Sequence, residues 1–144
     1  MRCSCEDDLH KELTVTETQR TVAEVMDTLV ELLEDQDAYP GFNVAARINH
    51  GKAAETAGLD LHPTEVLIFG NPKAGTKLMQ DTPSIALDLP LKIIAWRDQG
   101  DNTKVGYHNP VYLATHHCVR SDFTELLCNM AGLLENLVQL ATAE

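Results

Sequence analysis

Apolar and polar residues alternate with two different periods along the chain, and these periods separate helices from strands. From residue 21 to 35 apolar residues recur every three or four positions, which predicts an amphipathic helix. Thr21 and Glu24 have the spacing of a capping box, so the helix is expected to begin there. Its apolar face consists of Val22, Val25, Met26, Leu29 and Leu33.

A second and longer apolar stripe runs from Phe123 to Leu140 near the C-terminus. A helix of about twenty residues is roughly 30 Å long, which is enough to cover one face of a small sheet. This stripe and the apolar run Ile85–Leu91 together exceed what one small sheet needs to cover it. We therefore expect a homodimer.

Short runs that favour β structure separate the helical patterns. The predicted strands are 11–16, 42–48, 66–69, 91–97 and 104–107, the last two joined as a hairpin. Short helices are expected at 51–57 and around 76–79, whereas 110–118 is expected to be irregular. The chain thus predicts one α+β domain, residues 11–144, that ends in a long helix and follows a flexible tail, residues 1–10.

The charge balance narrows the classes of partner. The chain has 11 Lys and Arg residues against 22 Asp and Glu, a formal net charge of −11. A duplex nucleic-acid binder needs a basic surface, and an anionic membrane repels an acidic one. The sequence has no stretch of 18 apolar residues, and its first eight residues are too polar for a signal peptide. We expect a cytoplasmic protein without nucleic-acid or membrane partners.

The predicted strand 66–69 ends in the polar run Gly70-Asn71-Pro72-Lys73-Ala74-Gly75-Thr76, and α/β proteins commonly bind ligands at such places. The spacing approaches that of a phosphate-binding P-loop, but Lys77 follows Thr76 instead of preceding it, which argues against nucleotide binding. If Gly75 and Thr76 open a short helix, its free N–H groups suit a small anion. The predicted ligand-binding residues are Asn71, Lys73, Thr76 and Lys92.

Asp88 and Lys92 flank the apolar run Leu89-Pro90-Leu91. They are interpreted either as a structural ion pair or as an acid and an amine positioned in a pocket wall. Histidine is the usual proton-transfer group near neutral pH. The candidate catalytic residues are therefore His50, Asp88, Lys92 and His117.

Several separated motifs occur in a recognisable order. They are Ile48-Asn49-His50, Ala57-Gly58-Leu59, Pro63-Thr64, Ile68 through Thr76, Leu78-Met79, Asp88 through Lys92, Trp96 and Tyr107. With these motifs the chain resembles the "domain of unknown function 302" family over roughly residues 11–120. The resemblance implies a fold similar to the TATA-binding-protein-like arrangement, a curved, mainly antiparallel sheet packed by helices. It also implies homodimers, and it brings no established biochemical activity.

The sequence departs from that family pattern at two places. Asn49 stands where the family often has Asp before the first histidine, so this residue can orient His50 but cannot accept a proton. The triplet His116-His117-Cys118 stands where the family often has Arg-His-Gly, so His117 takes the position of the family's histidine.

The four cysteines are Cys3, Cys5, Cys118 and Cys128. A cytoplasmic protein keeps its thiols reduced, and Cys3 and Cys5 are too close in sequence for an unstrained mutual disulfide. We expect free thiols, no structural metal and no cofactor. The alternative is a zinc site in which the N-terminal tail reaches Cys118 beside His116 and His117.

Three function hypotheses follow. The first is a homodimeric domain that binds a small molecule, an anion being one option. The second is a small enzyme that uses His50 or His117 with Asp88 and Lys92 in acid–base catalysis. The third is a structural or partner-interaction protein. Whether the protein is an enzyme stays open at this point.

Overall fold

The structure is a computed structural model, and it describes residues 13–144. The predicted tail of residues 1–10, with Cys3 and Cys5, lies outside the described residues. In chain order the elements are β1 (Leu13–Thr18), α1 (Val22–Glu34), β2 (Asn43–Asn49), α2 (His50–Thr56), β3 (Thr64–Gly70), α3 (Pro72–Asp81), a first 3-10 helix (Pro83–Leu87), β4 (Leu91–Arg97), β5 (Thr103–His108), α4 (Pro110–His117), a second 3-10 helix (Ser121–Phe123) and α5 (Thr124–Thr142).

The strands form one five-stranded sheet in the order β1-β5-β4-β3-β2, and every pairing is antiparallel. β4 and β5 form the predicted hairpin, in which Arg97 lies opposite Thr103. β2 carries a register shift between Val44 and Ala46, which places an extra residue, Ala45, at a bulge. The predicted α+β fold, an antiparallel sheet packed by helices, is confirmed.

Helices α1 and α5 pack against each other and against one face of the sheet. Alternate strand residues point to this face, as the two-residue period of a strand requires, and they are fully buried at Leu67, Phe69, Ile93 and Ala95. Thr21 caps α1 as predicted, because its side chain accepts a hydrogen bond from the backbone N–H of Glu24. The buried residues of the sheet and of the two helices form one apolar core.

The apolar stripe of α5 belongs to this core. Leu127, Leu134, Leu137, Val138 and Ala141 are all less than 5% exposed. The stripe was predicted to exceed the needs of one chain, but the sheet and α1 of the same chain cover most of it and leave Leu140 47% exposed. The buried part of the stripe therefore provides no argument for a dimer.

Two helices differ from the sequence-based expectation, and in both the reason is an asparagine cap followed by proline. α4 occupies the segment predicted to be irregular, since the Asn109 side chain accepts from the N–H of Val111 and Pro110 suits the first helical position. α3 begins at Pro72, not near residue 76, because Asn71 caps it. Gly75 then lies inside the helix, with its N–H bonded to the carbonyl of Asn71, so it is not available for an anion.

The cysteines also differ from the expectation of free thiols. Cys118 is free and exposed, whereas Cys128 in α5 is disulfide-bonded. The expectation is therefore wrong for Cys128. A disulfide needs Cβ atoms about 4 Å apart, and the spacing of cysteines in the sequence does not give that distance.

Candidate functional site

A cluster of three polar side chains joins the first 3-10 helix to the end of α4. His117 Nε2 lies 2.5 Å from Asp88 Oδ2, and His117 Nδ1 lies 3.0 Å from the hydroxyl oxygen of Ser84. We call these three residues the histidine cluster. The His117 side chain is 8% exposed and that of Asp88 is 36% exposed, while Ser84 is exposed. The cluster thus opens to solvent at Ser84.

The pairing with Asp88 selects one form of the His117 ring. A carboxylate only accepts hydrogen bonds, so Nε2 carries a proton and donates a hydrogen bond to Asp88. In the neutral ring Nδ1 is then unprotonated and accepts from the Ser84 hydroxyl. General-base catalysis requires an oriented imidazole whose unprotonated nitrogen accepts a hydrogen bond from the reacting hydroxyl, and this arrangement is present here.

The residue directly after His117 has an unfavourable backbone conformation. Cys118 ends α4 in the left-handed conformation with φ 56°, and Val119 N–H donates to the carbonyl of Ala114 at 2.9 Å. This is the hydrogen-bond pattern of a Schellman cap, in which glycine is the usual left-handed residue. Cys118 therefore carries backbone strain that glycine would avoid.

Lys92 lies beside the cluster but does not pair with the Asp88 carboxylate. Its amine donates to the main-chain carbonyls of Pro90 at 3.1 Å and Asp88 at 3.5 Å. Together with Asp88 it lines a small cavity of about 40 Å³, whose other walls are Leu91, His108, Leu113 and Leu134. The structure therefore brings Asp88, Lys92 and His117 into one region.

His50, the other candidate histidine, lies at the opposite end of the sheet. It follows Asn49, which pairs with Glu65 at the start of β3. The segment with Asp88 leads into β4 at Leu91, which pairs with Phe69 at the other end of β3. Glu65 and Phe69 are four steps apart along the strand, which corresponds to about 13 Å. The structure does not bring His50 to Asp88 and Lys92.

A larger cleft of about 400 Å³ opens between β2, the start of α3 and the segment before β4. Its wall is uncharged and mostly apolar, and includes the bulge residue Ala45. The lining residues are Phe42, Asn43, Ala45, Gly70, Asn71, Pro72, Ala74, Gly75, Met79, Leu89, Pro90, Leu91 and Met130. A volume of this size lies in the range of small-molecule sites, about 300–1,000 Å³.

The four predicted ligand-binding residues are divided by the structure. Asn71 lines the large cleft, but its amide already caps α3 through Lys73 N–H and donates to the carbonyl of Pro40. Lys92 lines the small cavity instead. Lys73 and Thr76 are exposed on α3. Asn71 and Lys92 thus line different cavities.

A different polar cluster lies between β2, β3 and α1. Arg47 Nε donates to Glu65 at 2.8 Å, and Arg47 Nη1 donates to Asp27 at 2.7 Å. The Glu65 side chain is only 9% exposed. The hydrogen bond to Glu65 raises the pKa of Arg47 above its ordinary value, against the opposing effect of burial. We call these three residues the arginine cluster.

The run 70–76 that was singled out in the sequence does line the cleft, but Ser84 and the cleft residues Phe42, Met79 and Met130 were missed by the sequence-based reasoning. Ser84 precedes Asp88 by four residues, but His117 lies 33 positions further on, and no local pattern links them. Phe42, Met79 and Met130 come from three separate elements, and each fits an ordinary core residue in its own pattern. Only the tertiary structure brings them together.

Among residues 13–144 no group of three His, Cys, Asp or Glu side chains is placed to hold a metal ion. Across the same residues, no helix has both the length and the apolar character needed to traverse a bilayer.

Fold and site together define a small α+β domain with an apolar cleft and a histidine cluster beside it. The chain belongs to the family described as "Domain of unknown function DUF302", whose model matches residues 13–139. The resemblance found in the sequence is thus confirmed. A crystal structure of an uncharacterized conserved protein DUF302 from Bacillus stearothermophilus has the same fold, with a TM-score of 0.77 and 19% identity, over 92% of this chain and 99% of that one.

Similar proteins also come from Brucella. The chain is 40% identical over 105 residues to fluoride-specific ion channel FluC 1 of Brucella suis biovar 1, which covers 73% of this chain and 40% of that protein. The match to fluoride-specific ion channel FluC 2 of Brucella melitensis biotype 1 has the same identity and length and covers 37% of that protein. The chain therefore spans about two fifths of the length of these relatives.

Proposed function

We propose that this domain binds a small, uncharged and mainly apolar molecule in the large cleft. The observation that carries the proposal is the cleft of about 400 Å³ with an uncharged wall. Ligand sites usually combine such a wall with a few polar groups that fix orientation, and the amide of Asn43 is one such group here. The bulge at Ala45 supports the same placement, because bulges are frequent beside binding sites.

The lining of the cleft favours an uncharged ligand over the anion considered from the sequence. An anion removed from water needs a cation or several free N–H donors. The residues of this wall carry no positive charge, and the amide of Asn71 is already bonded. Lys73 and Thr76 project from exposed positions of α3.

The test uses N-phenyl-1-naphthylamine, an uncharged probe whose fluorescence rises in apolar surroundings. A Cβ added at Gly75 would lie 3.7 Å from Met79 Cε and 3.9 Å from Leu89 Cδ1, so Gly75→Leu extends into the cleft without a backbone clash. We expect saturable binding to the wild type and a loss of affinity of at least about tenfold in Gly75→Leu, equivalent to about 1.4 kcal/mol.

Gly132→Leu is the matched control, since it makes the same change in a helix, where an added Cβ meets nothing within 4 Å. It should bind the probe like the wild type. Equal binding by Gly75→Leu and Gly132→Leu, or no saturable binding by the wild type, would contradict the proposal.

A second candidate function, acid–base catalysis by His117 with Asp88, is favoured by one specific observation. The 2.5 Å contact between these side chains orients the ring, and Lys92 lies in the same region. The alternative with His50 lacks such support, because the sheet separates His50 from Asp88. Leu91 lines both the large cleft and the small cavity beside Asp88, so a molecule bound in the cleft would lie near Asp88 and His117.

We also propose that the protein is a homodimer, through the face of the sheet opposite α1 and α5. The strand register places Val15, Gly106, Ile94, Val66 and Ile48 in one row across this face. Val15 is 44% exposed and Ile48 is 39% exposed, an apolar surface suited to a second copy. Light scattering should give twice the chain mass for the wild type, and Val15→Glu should shift it toward the monomer. A monomer mass for the wild type at micromolar concentration would contradict this.

The similarity to the Brucella proteins supports a module that other chains carry as one part. The matched segment is 37–40% of proteins named as fluoride-specific ion channels. Cytoplasmic residence stays a proposal, whereas disulfide-bonded Cys128 favours an oxidising compartment. Alkylation of free thiols in unbroken cells, followed by mass measurement, distinguishes the two: modification of Cys128 would support the cytoplasm.

A further inference from the structure

We propose that Ser84 is the nucleophile of an esterase activity, with His117 as its base and Asp88 as the residue that orients His117. The proposal rests on the acid–base function of His117 and Asp88 and extends it by naming the reacting atom and the substrate class. The substrates are small uncharged esters, and water is the second reactant.

The geometry that carries the proposal is a continuous chain of hydrogen bonds from a carboxylate to a hydroxyl. Asp88 fixes the ring through Nε2, and the unprotonated Nδ1 then accepts from Ser84 Oγ at 3.0 Å. A serine hydroxyl is a weak nucleophile unless an adjacent base takes its proton, and an oriented histidine supplies that base. Ser84 is at the exposed end of the chain of bonds, where a substrate has access.

If these hydrogen bonds only joined two segments of the fold, a different pattern of burial would be expected. A serine that only joins two segments gains most when buried, because water competes for exposed hydrogen bonds. Here the base is the buried member and the hydroxyl is the exposed one. The strained residue Cys118 follows His117 directly, and backbone strain of this kind is concentrated at functional sites.

The reaction proceeds in two balanced steps. Ser84 Oγ attacks the ester carbonyl carbon, and its proton moves to His117 Nδ1. When the bond to the leaving alkoxide breaks, that oxygen takes the proton from Nδ1 and leaves as an alcohol. A water molecule then attacks the acyl carbon while Nδ1 takes its proton, and Ser84 Oγ regains a proton as the carboxylic acid departs.

The substrate class follows from the surroundings of Asp88. The next residues in the chain, Leu89 and Pro90, are part of the uncharged cleft wall. A small acyl group suits that wall, whereas a charged group would lose hydration without a partner.

The experiment treats the full chain with diisopropyl fluorophosphate and follows p-nitrophenyl acetate hydrolysis in parallel. We expect one diisopropylphosphoryl adduct, mapped to Ser84 by peptide mass spectrometry, and its absence in Ser84→Ala. In His117→Gln the rate of labelling should fall by about 100-fold or more, because the base is gone. The wild-type rate should depend on pH, and this dependence should disappear in His117→Gln.

Ser121→Ala is the matched control, because Ser121 also lies in a short 3-10 helix and is exposed. It should be labelled and should hydrolyse the ester like the wild type. If circular dichroism shows that His117→Gln unfolds, Asp88→Asn takes its place, and labelling of that variant at the wild-type rate would overturn the proposal.

Two other outcomes would also overturn it. One is the absence of an adduct on Ser84 in the wild type. The other is ester hydrolysis that persists in Ser84→Ala but is lost in His117→Gln. That result would show that Ser84 is not the nucleophile, while it would still support the acid–base function of His117.

Discussion

The arginine cluster and the histidine cluster each contain a base that is hydrogen-bonded to a carboxylate, and they differ in what they can do. In the arginine cluster the guanidinium bonds to Glu65 and Asp27, and both partners are negatively charged. In the histidine cluster His117 bonds to one carboxylate and one neutral hydroxyl. The first links three elements by charge, whereas the second presents a hydroxyl to solvent.

Protonation is the main difference between them. The pKa of Arg47 is raised further by Glu65, so this side chain keeps its charge throughout the range in which proteins are studied. Histidine is the side chain that changes its charge near neutral pH and can transfer a proton. A hydrogen bond between a basic side chain and a carboxylate therefore indicates catalysis only under two conditions. The base must be able to release its proton, and a reactive group must lie within hydrogen-bond distance of it.

The largest expected effect on stability comes from removing the buried acid of the arginine cluster. Glu65→Ala removes the buried carboxylate that accepts from Arg47, and because a hydrogen bond to a charged group contributes about 1.5–3 kcal/mol, the free energy of unfolding should fall by about 2 kcal/mol. Asp27→Ala is the control, because its carboxylate is 66% exposed and should contribute less than about 1 kcal/mol. Urea denaturation measures both, and equal losses would show that burial does not separate the two partners.

Replacing the strained residue beside the histidine cluster should stabilise the fold. Glycine adopts φ 56° without a Cβ conflict, so Cys118→Gly should raise the free energy of unfolding by about 1 kcal/mol. Labelling of Ser84 should stay within about twofold of the wild type, because the α4 cap keeps His117 in place. A loss of stability in urea would show that the Cys118 side chain has a packing role.

A smaller effect on stability is expected from the histidine cluster itself. His117→Gln should lower the free energy of unfolding by less than about 1 kcal/mol, since water can replace the ring at the partly exposed Asp88. The same variant should lose most of its reactivity toward the fluorophosphate. A loss as large as that of Glu65→Ala would mean that the histidine cluster is mainly structural.

The smallest effect concerns pH. A raised pKa in the folded state contributes stability that is present below the unfolded-state pKa and is lost only as pH rises through the folded value. For Arg47 both values lie far above neutrality, so the cost of Glu65→Ala should change by less than about 0.3 kcal/mol between about pH 7 and about pH 9. Denaturation curves at the two pH values test this, and a larger change would assign another titrating group to the arginine cluster.

The sequence by itself determined most of the elements and their type. α1, α5 and the β4–β5 hairpin follow from local periodicity, and the capping role of Thr21 follows from a spacing of three residues. The missed helix α4 depended on Asn109 and Pro110, a cap that is also local but was not recognised. Local signals are readable because they depend on neighbours that are fixed by the chain itself.

Only the tertiary structure decided which of the candidate residues meet. Asp88 and His117 are 29 positions apart, and Ser84 and His117 are 33 apart, so their contacts depend on how the first 3-10 helix packs on α4. Strand register likewise placed His50 at the far end of the sheet, and the packing of α1 and the sheet placed the α5 stripe in the core. Such contacts bring together segments that are distant in the sequence, and forming them costs loop-closure entropy. The packing of the whole core offsets this cost, so no single segment determines which contacts form.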